Sequence, residues 1–287
     1  MAGAQEKTAL LWDNGWRLPL GTTPSTHILK TRTGHLQNGI DMSSSLENEF
    51  LRLKLATAFG FPVNEARIGQ FDGIEALVVQ RFDRSRSETR LLRLPQEDFC
   101  QALGIGSVAK YEQDGGPGMA GCLSLLAASI HSVADREAFL AAQIFFWMIG
   151  ATDGHAKNFS IFLGPGGFRL TPFYDILSAE PARASGQIRH QQMQLAMAVQ
   201  GAGRHYRIDQ IHPRHFVTTA RQAGLGSGVI EEALRRLVST PDGVFAEVAG
   251  ALPAGFPAGV RDPILTAARH RHQLLCRYFD GYGANCT

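Results

Sequence analysis

A chain of 287 residues is long enough to bury a large core, as one big domain or as two lobes. Its hydrophobic fraction of 44% is ordinary for a globular protein. A formal net charge of +2, with a pI near 8.4, neither demands nor excludes a nucleic-acid surface, because a local basic patch can hide in a neutral total.

Thr8-Ala9-Leu10-Leu11-Trp12 is predicted as a strand, Asn14-Gly15 as a tight turn, and Trp16 to Leu20 as the returning strand. Thr26-His27-Ile28-Leu29-Lys30 is a further β-prone run, and the polar stretch Thr31 to Ser45 is predicted as a mobile loop. Ser44 precedes Glu47 at capping-box spacing, so a helix is expected from there to about Phe59, ended by Gly60. Val63 to Phe71 and Ile74 to Phe82 read as a hairpin turning at Asp72-Gly73. The patterning changes at Asp83-Arg84, where a lobe boundary is expected. Residues 1–83 would form a small β-rich lobe with one helix, and residues 84–287 a larger, mainly helical lobe. Pro95-Gln96-Glu97-Asp98 is predicted to start a helix, with the proline early and acids at the positive end. Asp114-Gly115-Gly116-Pro117-Gly118 is predicted as a rigid turn, and Asp135 as the cap of an apolar helix running to Ile149. Phe159 to Leu163 and Phe168 to Thr171 flank a Gly-Pro-Gly-Gly turn. Amphipathic helices are expected at about 214–223, 229–239 and 258–281. The fold class is therefore α+β.

Cys100, Cys122, Cys276 and Cys286 are scattered without a CxxC pair, which speaks against zinc or a disulfide framework and for thiols in a reducing cytoplasm. The N-terminus lacks the layout of a signal peptide, and the most apolar stretch, Phe139 to Ile149, is too short to span a bilayer. No membrane association is expected.

The chemistry concentrates in Ala151-Thr152-Asp153-Gly154-His155-Ala156-Lys157-Asn158, followed by Thr171-Pro172-Phe173-Tyr174-Asp175. Singly, each polar residue would be an ordinary turn or helix cap. Their order and spacing match the polar skeleton of a protein-kinase-type phosphotransfer site. There Asp153 would orient the attacking hydroxyl, while Asn158 and Asp175 would offer magnesium the few oxygens it prefers. Lys157, beside the Asn, is placed to neutralise phosphate charge, and His155 lies in the same loop. Lys30 ends a β-prone segment, where a phosphate-binding lysine is expected. Glu49 falls on the edge of the apolar face of Leu46, Phe50, Leu53 and Thr57 and is its expected partner, whereas Glu47 points away. A rim glutamate and a surface lysine are the other reading of that pair. The apolar strand ending in Gln80-Arg81-Phe82 is either a plain core strand or the connector whose backbone reads adenine, with Phe82 near the purine. Ala2-Gly3-Ala4-Gln5-Glu6-Lys7 lacks the first glycine of a Walker motif, yet amides around Gly3, with Lys7, could cover phosphates. Arg204-His205-Tyr206-Arg207 and His212-Pro213-Arg214-His215 read as solvated surface, with a DNA-facing role as the alternative.

With these residues in place, the chain resembles the kinase region of the HipA family of bacterial toxins. The resemblance is carried by Ala2 to Thr8, Thr26 to Lys30, Asp114 to Gly118, Ile149 to Ser160 and Leu170 to Ile176. It also rests on Asn48-Glu49, Arg81-Phe82-Asp83-Arg84, Leu92-Arg93-Leu94-Pro95-Gln96-Glu97-Asp98 and Lys110-Tyr111-Glu112. It implies an atypical protein-kinase-like two-lobe fold, ATP with Mg2+, and serine/threonine-kinase activity within a type II toxin–antitoxin system linked to persistence. It further implies glutamyl-tRNA synthetase as protein substrate, a HipB-like antitoxin as partner, corepression with it, and operator DNA bound mainly through that antitoxin. Carried over residue by residue, Asp153 resembles the catalytic base, Asn158 and Asp175 the magnesium ligands, and Lys30 with Glu49 the phosphate-binding lysine and its partner. Gln80, Arg81 and Phe82 resemble the adenine connector, with Gln80 where the family commonly has Glu. Ala2, Gly3, Ala4, Gln5, Glu6 and Lys7 resemble the phosphate-covering loop. His155, Ala156, Lys157 and Tyr174 complete the nucleotide-binding set.

Family members carry a further N-terminal region, and the resemblance here begins at the phosphate loop. The family's autophosphorylated serine would fall at or before Met1, so an N-terminally truncated kinase region with a partial small lobe is expected. Two other readings compete with the kinase. One is an inactive truncated protein that only docks on an antitoxin–DNA complex. The other is a metal-dependent phosphohydrolase using Asp153, His155 and Asp175, which lacks a clustered ligand set.

Overall fold

Residues between Lys7 and Gln80 build a five-stranded antiparallel sheet around one helix. The structure, a computed structural model, describes residues 5–36, 39–88 and 90–283. β1 (Lys7–Trp12) turns through Asn14 and Gly15, at φ 52° and 154°, into the short β2 (Trp16–Arg17). The return predicted to Leu20 stops at Arg17. β3 (His27–Lys30) pairs with the other edge of β1. The segment predicted as a mobile loop contains a small hairpin, β4 (Gly34–His35) with β5 (Asp41–Met42). Helix α1 (Ser45–Ala58) follows. β6 (Ala66–Phe71) and β7 (Ile74–Gln80) complete the order β2-β1-β3-β7-β6. Asp72 and Gly73 turn that hairpin at φ 48° and 83°, the left-handed pair that an Asp-Gly turn supplies.

The capping box expected at the start of α1 does not form. The Ser44 side chain makes no cap hydrogen bond, and Glu47 is buried, accepting two hydrogen bonds from Arg32 at 2.8 and 2.6 Å. A nearby guanidinium outcompetes the backbone amide for this carboxylate.

β8 (Arg84–Arg86) and β9 (Leu91–Arg93) form a hairpin. The Pro95 segment is a strand rather than a helix start: β10 (Gln96–Asp98) is the third strand beside β11 (Ser160–Gly164) and β12 (Gly167–Leu170). Asp98 then caps the short α2 (Phe99–Ala102), accepting from the Gln101 amide at 2.9 Å while Gln101 Oε1 accepts from the Asp98 amide at 3.0 Å. α3 (Met119–Leu126) precedes α4 (Ser132–Ile149), which begins before Asp135. Asp135 lies inside its first turn, where its carboxylate accepts from the Leu170 amide at 2.9 Å. After α5 (Glu180–Ala184) comes a strand pair the sequence reading did not anticipate, β13 (Gln194–Gln200) with β14 (Arg204–Arg207). α6 (Pro213–Gln222), α7 (Ser227–Val238), α8 (Val244–Gly250) and α9 (Ala258–Gly283) complete the chain. All but α8 coincide with predicted amphipathic helices.

The largest core cluster centres on α4, whose Phe139, Leu140, Ile144, Phe145 and Trp147 are fully buried, and it extends to Leu275 on α9. Leu51, Leu55 and Phe59 of the α1 segment belong to it, whereas Leu46 and Phe50 pack on Leu77 and Val79 of β7. Helix α1 is thus wedged between sheet and helices, each buried side chain contributing about 1.5–3 kcal/mol. Cys100 and Cys122 are buried free thiols and Cys276 is partly buried; Cys286 lies outside the described residues. Among the described residues no helix is long and apolar enough to cross a membrane.

Candidate active site

Helix α4 stops because Gly150 takes φ 67°, and the chain then doubles back through Asp153 into a single 3-10 turn, Ala156–Asn158. Only glycine fits at position 154, where a Cβ would meet the Phe146 ring at 2.6 Å. Asn158 Nδ2 donates to the carbonyls of Asp153 at 2.9 Å and of Asp175 at 3.2 Å, tying the two motifs together. The Asp153 carboxylate is 44% exposed to the cleft. Its Oδ1 accepts from the Tyr111 hydroxyl at 2.5 Å, and His155 Nε2 lies 3.7 Å from the same oxygen. Burial, opposed by the Asp153 charge, holds the His155 imidazole below its usual pKa and therefore neutral at pH 7.

Lys30, at the end of β3, is buried between two carboxylates, donating to Glu49 Oε1 at 2.6 Å and to Asp175 Oδ1 at 2.9 Å. Burial disfavours its charge, but the two anions outweigh that and raise its pKa. Burial likewise opposes ionisation of Asp175, and the Lys30 ammonium more than offsets it, holding the carboxyl below the usual range. Asp175 sits at φ 54°, a left-handed conformation that Asp tolerates better than most residues. The backbone that follows it is held by α1. Asn48 Nδ2 donates to the Ser178 carbonyl at 3.0 Å and its Oδ1 accepts from the Ser178 amide at 3.3 Å. Arg52, one turn further along the same face, donates from Nη2 to the Ile176 carbonyl.

Asp153, Asn158 and Asp175 line one cavity of about 1020 Å³, together with Gln5, Lys7 and Lys157. A smaller cavity of about 230 Å³ adjoins it, lined by Ile28, Lys30, Glu49, Val79 and Phe82. Both are bordered by Lys7, Gln96, Tyr174 and Asp175. The Phe82 ring lies 5.5 Å from that of Tyr174 and 5.6 Å from that of Phe162, an aromatic wall at the smaller cavity. The Tyr174 hydroxyl donates to the Lys157 carbonyl at 3.1 Å.

Some of the expected site residues border neither cavity, and some that border one, Arg81 and Lys157 among them, are engaged by partners within the chain. Gln80 is exposed and borders neither cavity; its carbonyl accepts from Asn64 Nδ2 at 2.6 Å and its amide donates to the Glu65 carbonyl. The Arg81 amide donates to Thr26, and the Arg81 guanidinium grips Asp83 at 2.9 and 2.7 Å. Lys157 commits its charge to Asp98 at 2.6 Å. Ala156 is fully buried beneath the loop, and Glu6 is exposed, its carbonyl accepting from the Thr31 amide. Gln5 donates to the Thr31 carbonyl at 2.6 Å. Ala2, Gly3 and Ala4 lie outside the described residues. Among the described residues no group of three or more His, Cys, Asp or Glu could hold a metal ion; the oxygen pair of Asn158 and Asp175 is smaller than that.

The sequence reading gives no role to Tyr111, Asp98, Asn48 or Arg52. The available signal is that Asn48-Glu49, Leu92 to Asp98 and Lys110-Tyr111-Glu112 are among the stretches that carry the family resemblance.

The HipA-like C-terminal domain family matches residues 1–244. The chain is 31% identical over 292 residues to the serine/threonine-protein kinase toxin HipA of Shewanella oneidensis, covering 96% of this chain and 62% of that protein. It is 32% identical over 251 residues to Y4mE of Sinorhizobium fredii, covering 86% and 56%. In structure it matches a chain of the Shewanella oneidensis complex of HipA, HipB and operator DNA with a TM-score of 0.79 at 28% identity, covering 97% of this chain and 66% of that one. It also matches the Helicobacter pylori proinflammatory kinase CtkA with a TM-score of 0.65 at 11% identity, covering 96% and 95%, a likeness of fold. The α+β architecture is therefore kinase-like. The chain spans 56–62% of the length of these two curated relatives.

Proposed function

This chain belongs to the HipA-like C-terminal domain family, and on that premise we propose that it is a serine/threonine-protein kinase transferring the γ-phosphate of ATP to a protein hydroxyl. One observation carries the reading. Lys30 and Asp175, 145 positions apart, are in direct contact, and Asp175 shares a cavity with Asp153 and Asn158.

The residues fit a nucleotide. We place the triphosphate in the larger cavity near Lys30 and Lys7, between residues 1–83 and 84–287, and the purine in the smaller cavity against Phe82. Among the described residues the Arg81 carbonyl and the Phe82 amide have no hydrogen-bond partner within the chain. They are the connector groups left to read adenine once Gln80 is engaged by Asn64. The residues also fit magnesium. Asn158 points its amide nitrogen inward onto two carbonyls, which leaves its oxygen for a cation, and Asp175 has a second carboxylate oxygen besides the one on Lys30. Magnesium, when bound, would neutralise phosphate charge. In the transfer itself, Asp153 accepts the proton of the acceptor hydroxyl. The hydroxyl oxygen bonds to the γ-phosphorus while the bond from that phosphorus to the bridging oxygen breaks and ADP departs.

The relative named a toxin and the relative complexed with HipB and operator DNA support a finer reading. In it this chain is a cytoplasmic toxin linked to persistence, partnered by a HipB-like antitoxin that carries operator DNA and corepresses with it, and glutamyl-tRNA synthetase is its substrate. The test is incubation of the full chain with γ-labelled ATP, Mg2+ and glutamyl-tRNA synthetase. Labelling that falls about 100-fold or more in Asp153→Asn is expected for loss of a general base. Absence of label, or equal label in both, would overturn the kinase reading. If antitoxin–operator affinity then rises on adding the chain, the binding-only reading takes its place.

A further inference from the structure

We propose that Tyr111 is the residue that positions the base: its hydroxyl pins Oδ1 of Asp153, so that Oδ2 is the oxygen presented to the acceptor. The proposal rests on the kinase reading for what Asp153 does, and on contacts of its own for what Tyr111 does.

The Tyr111 hydroxyl donates to Asp153 Oδ1 at 2.5 Å, the short distance of a hydroxyl bonded to a carboxylate. His155 addresses the same oxygen from 3.7 Å, and among the described residues Oδ2 has no partner within the chain. Without such a contact a half-exposed carboxylate would rotate about its terminal torsion, which is broad and two-fold.

The mount of Tyr111 is rigid. The His155 ring stands edge-on to its ring at 4.9 Å and 79°, and Lys110 Nζ lies 4.9 Å from its centroid. The Tyr111 carbonyl accepts from the amides of Gly116 at 2.8 Å and Asp114 at 3.1 Å. That wrap needs glycines. Gly115 takes φ 88°, and a Cβ at Gly116 would come within 2.2 Å of the Ala109 carbonyl. A Cβ at Gly118 would come within 2.5 Å of the Glu112 carboxylate, whose Oε2 accepts from the Ala198 amide on β13 at 2.6 Å. The Gly-Gly-Pro-Gly segment, which the catalytic reading leaves without a purpose, is the bracket on which this phenol is mounted. Burial first, and then the hydrogen bond to Asp153 and that carboxylate's charge, push the phenol's pKa well up, so it stays a donor at neutral pH.

The test is Tyr111→Phe in the full chain, which keeps the ring and removes one oxygen. We expect kcat to fall about 10-fold or more, with KM for ATP unchanged within about 2-fold, since misplacement of a reacting group costs rate rather than ground-state binding. A readout independent of turnover is the carboxyl 13C resonance of Asp153 at fixed pH, assigned by its loss in Asp153→Asn; it should move in Tyr111→Phe. Gly118→Ala, which disturbs the bracket through Glu112, should lower kcat in the same way and serves if Tyr111→Phe does not fold. Unchanged kcat and an unmoved resonance in a folded variant would overturn the proposal, as would phosphate found on Tyr111 after incubation with ATP and Mg2+. A parent chain that transfers no phosphate, but whose Asp153 resonance moves in Tyr111→Phe, would remove the kinase reading and leave the contact standing.

Discussion

Lys30 is buried, and its charge persists only because Glu49 and Asp175 flank it. Removing one member of a buried ionic set leaves another unpaired in a low dielectric, which typically costs about 3–5 kcal/mol. Lys30→Met is therefore expected to lower the unfolding free energy by that amount, and Lys30→Met combined with Glu49→Leu to recover much of it. Urea unfolding measures both; a double variant no more stable than the single one would contradict the pairing. Asp83 makes a second charged cluster at the connector. Burial opposes its ionisation, but Arg81 and Arg84 outweigh burial and hold the carboxyl below the usual range. A depressed carboxyl favours the folded state above its unfolded value of about 3.9, and that advantage disappears as pH falls through the lower folded value. Asp83→Asn is thus expected to be less stable than the parent at neutral pH, with the gap narrowing as pH drops below about 4. A gap of constant size across that range would contradict it. The Lys30–Glu49 pair was legible because it depended on one β-run and one helix face. The fate of Glu47 was not, because its partner Arg32 lies in a segment whose path only tertiary packing defines.

Helix α1 does more than carry Glu49. Through Asn48 and Arg52 it fixes the backbone from Ile176 to Ser178, directly after Asp175. Arg52 is fully buried, with Nε and Nη1 unpartnered among the described residues, and desolvation pulls its pKa down to about 9. Asn48→Ala should cost about 2 kcal/mol, for two buried hydrogen bonds at about 1 kcal/mol each. Arg52→Met should weaken nucleotide binding by loosening Ile176. Unaltered ATP affinity in the folded variant would contradict that. Among the elements, α1, α6, α7, α9 and the β6–β7 and β11–β12 hairpins could be read from turns, glycine stops and periodicity, although the capping box that marked the start of α1 does not form. The Pro95 segment could not, because a helix-start composition yields to the β11 edge that needs a partner. Gln194 to Gln200 is a short apolar run of the kind that periodicity cannot assign to strand or helix.

At the scale of the whole chain, the β-rich and helical halves share a core, since Leu51, Leu55, Phe59 and Phe61 sit in the same cluster as Phe145 and Leu275. Unfolding is therefore expected as one transition, with the fluorescence of Trp147 in α4 and of Trp16 in the sheet changing together in single-tryptophan variants. Two separated transitions would mean that the halves are independently stable. The same wedge of α1 brings Lys30 to Asp175 and makes one cleft out of residues distant in sequence. The measurement that bears most directly on this is calorimetric titration of the full chain with ATP, with and without Mg2+, in the parent and in Asp175→Ala. Binding that magnesium strengthens in the parent but not in the variant is expected. Binding indifferent to magnesium, or identical in the two proteins, would contradict the account.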